Sequence, residues 1–255
     1  MTLDQFFKEH PRAALAFSGG VDSAWLLWAG VKAGAEVRPY FIKTPFQPQF
    51  EQEDARRLCE QLNVELTVIP LDIFTAPEVV ANPMDRCYHC KKRLFFLLRG
   101  RAASDGFTLL LDGTNASDDA GDRPGMRALR ELEVRSPLRE CGLTKGRIRE
   151  LSQQAGLFTW DKPSYACLAT RVPAGRPITR DALEKVERGE RLLSGLGFRD
   201  FRLRLTQNGC KLQATEDQIP LALDRRTDIL AALEPDFSEI TLDLRPRAVQ
   251  DQEVS

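Results

Sequence analysis

The sequence predicts an α/β protein in which a doubly wound parallel sheet is followed by a small C-terminal α+β domain. The apolar run at residues 13–17 ends in a glycine-containing turn, and helical spacing follows from Asp22 to Lys32. Strand and helix patterns then alternate, which favours parallel strands with right-handed crossovers. Proline and glycine crowd between Pro173 and Pro177, and the pattern changes beyond them. We therefore predict two domains, at residues 1–172 and 173–255.

The elements follow from apolar periodicity and from the turn residues that interrupt it. In the first domain we predict strands at 13–17, 37–42, 64–69 and 108–111, and helices at 22–32, 51–62, 90–103 and 145–155. In the second domain we predict a helix at 179–193 and strands at 201–205, 211–214 and 240–244. Asn208-Gly209 is typical of a hairpin turn between the first two of these strands.

Composition narrows the class of protein. The chain has 255 residues, of which 42% are hydrophobic and 29% charged, as in soluble globular proteins. Its apolar runs are strand-sized, far below the roughly 20 residues of a membrane span, and no secretion signal is evident. We expect a cytoplasmic protein that does not cross a membrane. A net charge of −1 gives no global excess of basic residues of the kind that nucleic acid binding relies on, and we expect no nucleic acid partner.

A phosphate-binding loop is predicted at Ser18-Gly19-Gly20-Val21-Asp22-Ser23, between the first strand and the first helix. The two glycines allow a tight turn, while hydroxyls and helix-start amides donate to phosphate oxygens. The alternative is an ordinary turn in which Asp22-Ser23 only caps a helix. Ligands bind doubly wound sheets at the carboxyl ends of their strands, which favours the phosphate loop. The Gly-Lys-Ser/Thr ending of a Walker loop is absent.

This loop resembles the PP-loop, SGGxDS, of the ATP-pyrophosphatases. The resemblance implies that Ser18, Gly19, Gly20, Asp22 and Ser23 bind ATP, with Mg²⁺ shielding the pyrophosphate that leaves when a substrate is adenylated. It also places Gly113 and Thr114, which follow the strand ending at Asp112, against the nucleotide. Asp112 itself is equally typical of a turn cap.

Three of the six cysteines form a pattern of their own. Cys87 and Cys90 make a CxxC at the start of a predicted helix, and Cys167 lies in the linker before the second domain. Zinc, with His89 as a fourth ligand, is one hypothesis. An iron–sulfur cluster on three cysteines, with one iron open to hold sulfide, is another. Cys167 acting alone as a nucleophilic thiolate and a set of inert thiols are the others, while Cys59 is interpreted as packing and Cys141 and Cys210 have no partner motif.

Four ordered strings make the resemblance narrower: NPxDRCYHCKK, DGTNxxD with RPG, RSPL, and KPSxACLxxRxPxG. Together they resemble the LarE family of ATP-dependent sulfur transferases. That family converts pyridinium-3,5-biscarboxylic acid mononucleotide to thiocarboxylates for the nickel-pincer nucleotide cofactor. Some members sacrifice the sulfur of one linker cysteine, and others bind a 4Fe-4S cluster on three. Cys167 matches both kinds, and the added Cys87 and Cys90 favour the cluster.

The resemblance also implies how an anionic nucleotide substrate is held. Arg202 and Arg204 alternate with apolar residues, so both lie on one face of a strand, and they resemble the family's phosphate-binding RxR pattern. A solvated strand face is the alternative. Arg171 and Arg123 are further candidates, and Glu190 is either a metal ligand or a surface carboxylate.

The assembly and the competing functions complete the expectations. The resemblance implies a small-molecule substrate and a homo-oligomer, possibly a hexamer. A tRNA 2-thiolation enzyme is the nearest alternative, and a non-catalytic nucleotide- or zinc-binding module is the alternative from another class.

Overall fold

The computed structural model describes residues 1–118 and 124–247 and places them in two compact units. The first unit contains the described residues of Met1–Val79 and Asp85–Lys162, and the second those of Val80–Met84 and Pro163–Ser255. The chain therefore passes from one unit to the other at 79/80, 84/85 and 162/163. The predicted boundary at 172/173 differs, since residues 163–172, with Cys167, belong to the second unit. Arg123, a candidate from the sequence, lies outside the described residues.

A four-stranded parallel sheet forms the centre of the first unit, in the order β3-β2-β1-β4. The strands are β1 (Arg12–Ala16), β2 (Glu36–Lys43), β3 (Thr67–Pro70) and β4 (Leu110–Leu111). β1 pairs in parallel with both β2 and β4, which confirms the predicted fold class. The order reverses between β1 and β4, so the loops after these two strands lie at the switch point where such sheets bind ligands.

Helices cover both faces of this sheet. They are α1 (Leu3–Glu9), α2 (Val21–Lys32), α3 (Gln49–Gln61), α4 (Pro77–Val80), α5 (Arg86–Ser104), α6 (Pro124–Glu131), α7 (Pro137–Glu140) and α8 (Lys145–Gln154), with a 3-10 turn at Ile73–Thr75. α5 begins four residues before the predicted start at Cys90, so both cysteines of the CxxC lie in its first two turns.

The alternation of β1 divides the core of the first unit into two layers. Ala13 and Leu15 pack into the cluster that includes Leu26 and Leu27 of α2. Ala14 points to the other face, where it packs in a cluster with Phe95 of α5. Successive strand residues face opposite sides of a sheet, so one apolar strand supplies both layers.

The second unit has a mixed three-stranded sheet in the order β5-β6-β7. β5 (Arg202–Leu205) runs antiparallel to β6 (Cys210–Gln213), which runs parallel to β7 (Ile240–Leu242). The predicted hairpin at Asn208-Gly209 is confirmed by a bond from Thr206 N to Gly209 O of 2.9 Å. The helices are α9 (Arg180–Gly195), α10 (Ile219–Asp224) and α11 (Arg226–Leu233), with 3-10 turns at Leu168–Arg171 and Glu216–Gln218.

Asn82 ties the short segment 80–84 into the second unit. Its side-chain amide, which is fully buried, donates to Pro173 O at 2.8 Å and to Arg176 O at 3.0 Å. Its own carbonyl accepts from Gly175 N at 2.8 Å. Residues separated by about ninety positions are thus joined by two side-chain hydrogen bonds and one main-chain hydrogen bond.

No helix in the described ranges combines the length and the apolarity needed to cross a bilayer.

Two helix glycines test the packing of the first unit. A Cβ on Gly30 of α2 would lie 2.5 Å from Val37 Cγ2 and 3.1 Å from the Phe7 ring, whereas one on Gly100 of α5 would meet nothing within 4 Å. We expect Gly30→Ala to lower the free energy of unfolding by about 1–3 kcal/mol through overpacking. Gly100→Ala, the matched control, should raise it by up to about 1 kcal/mol through helix propensity. Urea titrations measure both, and equal effects would contradict this packing.

Candidate functional site

The loop after β1 is held by its own hydroxyls. Ser18 Oγ and Ser23 Oγ lie 3.1 Å apart, Ser23 Oγ donates to Gly20 O at 3.2 Å, and Gly20 N donates to Ser18 Oγ at 3.3 Å. Gly20 occupies the N-cap of α2 and makes no side-chain capping bond. The loop therefore brings two hydroxyls to the start of a three-turn helix, where backbone amides favour an anion.

Two of the three glycines predicted to contact the nucleotide, Gly19 and Gly113, lie in close packing. Gly19 has φ +71°, and a Cβ there would lie 3.0 Å from Glu51 O of α3. A Cβ on Gly113, in the loop after β4, would lie 3.0 Å from Ser23 N. The structure thus brings Gly113 beside the Ser18–Ser23 loop, because the carboxyl ends of β1 and β4 are adjacent. Its contact with a nucleotide stays a prediction.

Asp22 is the acidic group of this loop, and two residues distant in sequence hold its carboxylate. Lys145 Nζ lies 2.6 Å from Asp22 Oδ2, and Asn115 Nδ2 donates to Asp22 Oδ1 at 3.3 Å. Burial raises the pKa of Asp22, while the charge and hydrogen bond of Lys145 oppose that rise. Asp22 is thus a partly buried carboxyl group paired with a lysine from α8.

Lys162 approaches the same loop from the opposite end of the unit's sequence. Its Nζ lies 2.6 Å from Asp54 Oδ2 of α3 and donates to Gly19 O at 3.3 Å. Its main-chain carbonyl accepts from Arg149 Nη2 at 2.8 Å. Both ends of this residue are therefore fixed beside the phosphate loop.

Asp112 supports the loop after β4 from below. Its carboxylate is 6% exposed and accepts from Ser136 Oγ at 2.6 Å and from Thr114 Oγ1. Burial raises its pKa, and these hydrogen bonds and Lys91 oppose the rise. The residue that the sequence allowed to be a simple turn cap is thus a buried acceptor, which orients the Thr114 hydroxyl.

Cys87 and Cys90 lie three residues apart on α5, and so on neighbouring positions of one helix face. Cys87 is exposed and Cys90 half-buried. The imidazole of His89 lies beside Asp85, with Nε2 3.2 Å from Oδ2. On the neighbouring Tyr88, the ring stacks under the Arg127 guanidinium at 3.9 Å.

Cys59 of α3 and Cys210 of β6 are buried packing residues. Burial raises the pKa of Cys59 and of Cys210 to about 12. Across residues 1–118 and 124–247, no three His, Cys, Asp or Glu side chains gather into a metal site.

In the second unit, three arginines hold the segment that contains Cys167. Arg171 donates to Ala166 O at 3.0 Å, Arg204 donates to Thr170 O at 2.7 Å, and Arg202 donates to Ser164 O. Cys167 itself is half-buried at the start of the 3-10 turn Leu168–Arg171. These bonds explain why residues 163–172 belong to the second unit.

Glu190 of α9 is the buried counter-charge of this cluster. It accepts from Arg171 at 2.7 and 3.2 Å, from Leu203 N at 2.9 Å, and from the Tyr165 hydroxyl. The alternative of a surface carboxylate is wrong, since Glu190 is only 6% exposed. In this structure its acceptor capacity is used within the second unit.

Arg202 and Arg204 lie on one strand face, but that face is covered. Arg202 is 5% exposed, so the alternative of a solvated strand face is wrong for it. Burial and the charge of Arg171 lower the pKa of Arg202 to about 10, with Glu190 opposing. Arg171 pairs with Glu190 and Arg202 lies 3.4 Å from Asp200, while all three guanidinium groups also donate to main-chain carbonyls. Guanidinium groups can bind an anion in bidentate geometry.

Comparison with known proteins decides the family. The chain is 31% identical over 248 residues to the pyridinium-3,5-bisthiocarboxylic acid mononucleotide synthase of Lactiplantibacillus plantarum, covering 95% of this chain and 89% of that protein. The chain belongs to the family of that synthase. This is the LarE family that the ordered motifs predicted.

Two further relatives are similar to this chain, one at higher and one at lower sequence identity. An uncharacterized protein of Synechocystis is 35% identical over 218 residues, covering 85% of this chain and 81% of that protein. A probable tRNA sulfurtransferase of Acetivibrio thermocellus is 24% identical over 217 residues, covering 81% of this chain and 54% of that protein. No family model matches the chain.

Three polar residues that contact the Ser18–Ser23 loop were not predicted as site residues from the sequence: Lys145, Lys162 and Asn115. Asn115 and Lys162 do stand within the LarE-like strings DGTNxxD and KPSxACLxxRxPxG. Lys145 carries no such signal, because it is an ordinary first residue of an amphipathic helix. Only the fold brings it to Asp22, 123 positions away.

The Arg171–Glu190 pair provides a test of the second unit. The Arg171 side chain is 0% exposed and that of Glu190 7%, so Glu190→Leu leaves a buried charge without its counter-ion. We expect the free energy of unfolding to fall by about 3–5 kcal/mol. The matched control is Glu150→Leu, whose pair with Arg147 is 62% and 52% exposed, with an expected loss below about 1 kcal/mol. Equal losses in urea titrations would rule out a structural role for the buried pair.

Proposed function

We propose that this LarE family member is an ATP-dependent sulfur transferase. It adenylates a carboxylate of a small nucleotide, which we take to be pyridinium-3,5-biscarboxylic acid mononucleotide, and replaces the adenylate with sulfur. The observation that carries this proposal is the loop Ser18–Ser23, packed against Gly113 at the switch point and containing Asp22, which pairs with Lys145. The family relationship supports the choice of substrate.

The first step forms a mixed anhydride. A substrate carboxylate oxygen attacks the α-phosphorus of ATP, the bond to the β-phosphate breaks, and pyrophosphate leaves. The hydroxyls of Ser18 and Ser23 and the first amides of α2 would hold that pyrophosphate. Mg²⁺ would neutralise its charge, with Asp22 as the carboxylate ligand nearest to the loop.

The second step forms the carbon–sulfur bond. A sulfur nucleophile attacks the activated carbonyl carbon, and AMP leaves. Arg202 and Arg204 are the proposed ligands of the substrate phosphate, since both lie on one face of β5 and guanidinium groups match a phosphate in bidentate geometry. The substrate's place is therefore proposed next to the Cys167 segment, which the same arginines hold.

For the sulfur source we propose a 4Fe-4S cluster on Cys87, Cys90 and Cys167. Three thiolates suit such a cluster and leave one iron open to hold the transferred sulfide. The exposure of Cys87 and its spacing from Cys90 on α5 suit ligation of one group. Cys167 follows Lys162 by five residues, and five extended residues span at most about 18 Å, so the chain keeps it within that reach of Lys162. Sacrifice of the Cys167 sulfur is the competing route, and zinc is less favoured.

A tRNA 2-thiolation enzyme is the second candidate, favoured by the relationship to a probable tRNA sulfurtransferase. A net charge of −1 argues against it, because RNA binding relies on clustered basic residues. We also propose a homo-oligomer, which sedimentation would test.

The adenylation step predicts how activity depends on Asp22. Asp22→Asn removes the carboxylate proposed to bind Mg²⁺, so pyrophosphate release from ATP with the biscarboxylated nucleotide should fall at least about 100-fold. The exposed Asp181→Asn is the control and should act as wild type. Absence of AMP and pyrophosphate from the wild type would refute the proposed function at its first step.

The raised pKa of Asp22 also predicts a pH dependence. As pH falls, Asp22 takes up a proton and pyrophosphate release declines. Lys145 opposes the rise in this pKa, so Lys145→Met should raise it further and move the acid limb to higher pH. A pH profile of pyrophosphate release measures the limb independently of the overall rate. An unchanged limb would show that Asp22 does not control it.

The sulfur step predicts the metal content. After anaerobic purification we expect iron and sulfide in the wild type and their loss in Cys87→Ser, Cys90→Ser and Cys167→Ser, measured by elemental analysis. Cys141→Ser, outside the motif, is the control. A metal-free protein whose mass falls on turnover by the elements of hydrogen sulfide at Cys167 would replace the cluster with sacrifice. Zinc in place of iron would reject both.

A further inference from the structure

The phosphate loop of this chain has no cation of its own. Between Phe17 and Ser23 the single charged residue is Asp22. In Walker loops a lysine within the loop reaches the outer phosphates, and that lysine is absent here. The positive charge for a triphosphate must therefore come from other elements.

Lys145 is fixed on one side of the loop. Lys145 is the first residue of α8, which Thr144 Oγ1 caps. The backbone N of Lys145 donates to Ser117 Oγ at 3.0 Å. Its ammonium group, 2.6 Å from Asp22, belongs to a side chain that is 17% exposed. The position of the charge is thus set by both the main chain and the ion pair.

Lys162 is fixed on a second side. Its ammonium group bonds to Gly19 O and pairs with Asp54, while Arg149 holds its carbonyl. The Lys162 side chain is 16% exposed, against 35% for Lys185 and 69% for Lys8, whose partners are also carboxylates. Partly burying a lysine costs solvation free energy in addition to the side-chain entropy that an exposed ion pair also loses.

We propose that Lys145 and Lys162 are phosphate-binding residues that bind the pyrophosphate portion of ATP at the Ser18–Ser23 loop. This inference rests on the proposed function, because it assigns further ligands to the same nucleotide site. An ammonium group has three donors, and each lysine faces a loop whose amides and hydroxyls suit phosphate oxygens. One carboxylate beside each lysine fixes the position of its ammonium group.

The test is calorimetric binding of ATP, pyrophosphate and AMP in the presence of Mg²⁺, using the full chain. We expect Lys145→Met and Lys162→Met each to weaken ATP and pyrophosphate at least about tenfold and to change AMP binding less than about twofold. Lys185→Met, which removes an ion-paired lysine of α9, is the matched control and should bind all three ligands as wild type. Lys145→Arg and Lys162→Arg keep the charge and should retain most of the affinity.

The outcomes separate this inference from the proposed function. A wild type that binds no ATP refutes the proposed function. A wild type that binds ATP, with Met variants that bind ATP and pyrophosphate equally well, overturns the role of the lysines alone. Equal losses for AMP and pyrophosphate, or Arg variants as weak as the Met variants, would assign the effect to a damaged fold and also overturn it.

Discussion

Two close backbone contacts, each at a glycine, determine the geometry of the candidate site. The start of α3 lies against Gly19, and the start of α2 lies against Gly113. In each case an added Cβ would lie only 3.0 Å from a backbone atom. These contacts bring the loops after β1 and β4 together at the reversal of strand order. The placement of Asp22, and through it of Lys145, follows from this close packing.

The two units handle positive charge in different ways. In the first unit, lysines pair one-to-one with carboxylates around a loop that has hydroxyls and amides to spare. In the second, Arg171 pairs with the buried Glu190 and Arg202 lies 3.4 Å from Asp200, and both of these arginines and Arg204 also donate to main-chain carbonyls. An ammonium group suits a phosphate that comes and goes, whereas planar guanidinium groups fix a segment of chain in a set orientation. The guanidinium groups thus fix the segment that contains Cys167, while the lysines lie beside the Ser18–Ser23 loop.

Much of the fold was predictable from the sequence, because alternating strand and helix patterns with short turns specify a parallel sheet. The phosphate loop and Gly113 were predictable for the same reason, since the carboxyl ends of adjacent strands meet. Lys145 was not, because no local pattern encodes a contact with a loop so far away in sequence. Period-2 spacing placed Arg202 and Arg204 on one face, but it does not tell whether solvent or the 164–170 segment covers them. The boundary at residue 163 was missed because it depends on hydrogen bonds to carbonyls, which every residue possesses. The roles of Cys87, Cys90 and Cys167 stay predictions.

The bonds of Asn82 have a consequence for how the chain is made. Residues 80–84 leave the ribosome some ninety residues before the carbonyls of Pro173 and Arg176, to which the Asn82 amide donates. During synthesis, segment 80–84 therefore lacks these hydrogen-bond partners until the rest of the first unit, through Lys162, has been made. Folding from the amino terminus then completes the first unit before the second unit, which contains Cys167, can be completed. A fragment that begins at residue 163 would lack Asn82 altogether, so the second unit cannot be excised as one continuous piece without losing these bonds.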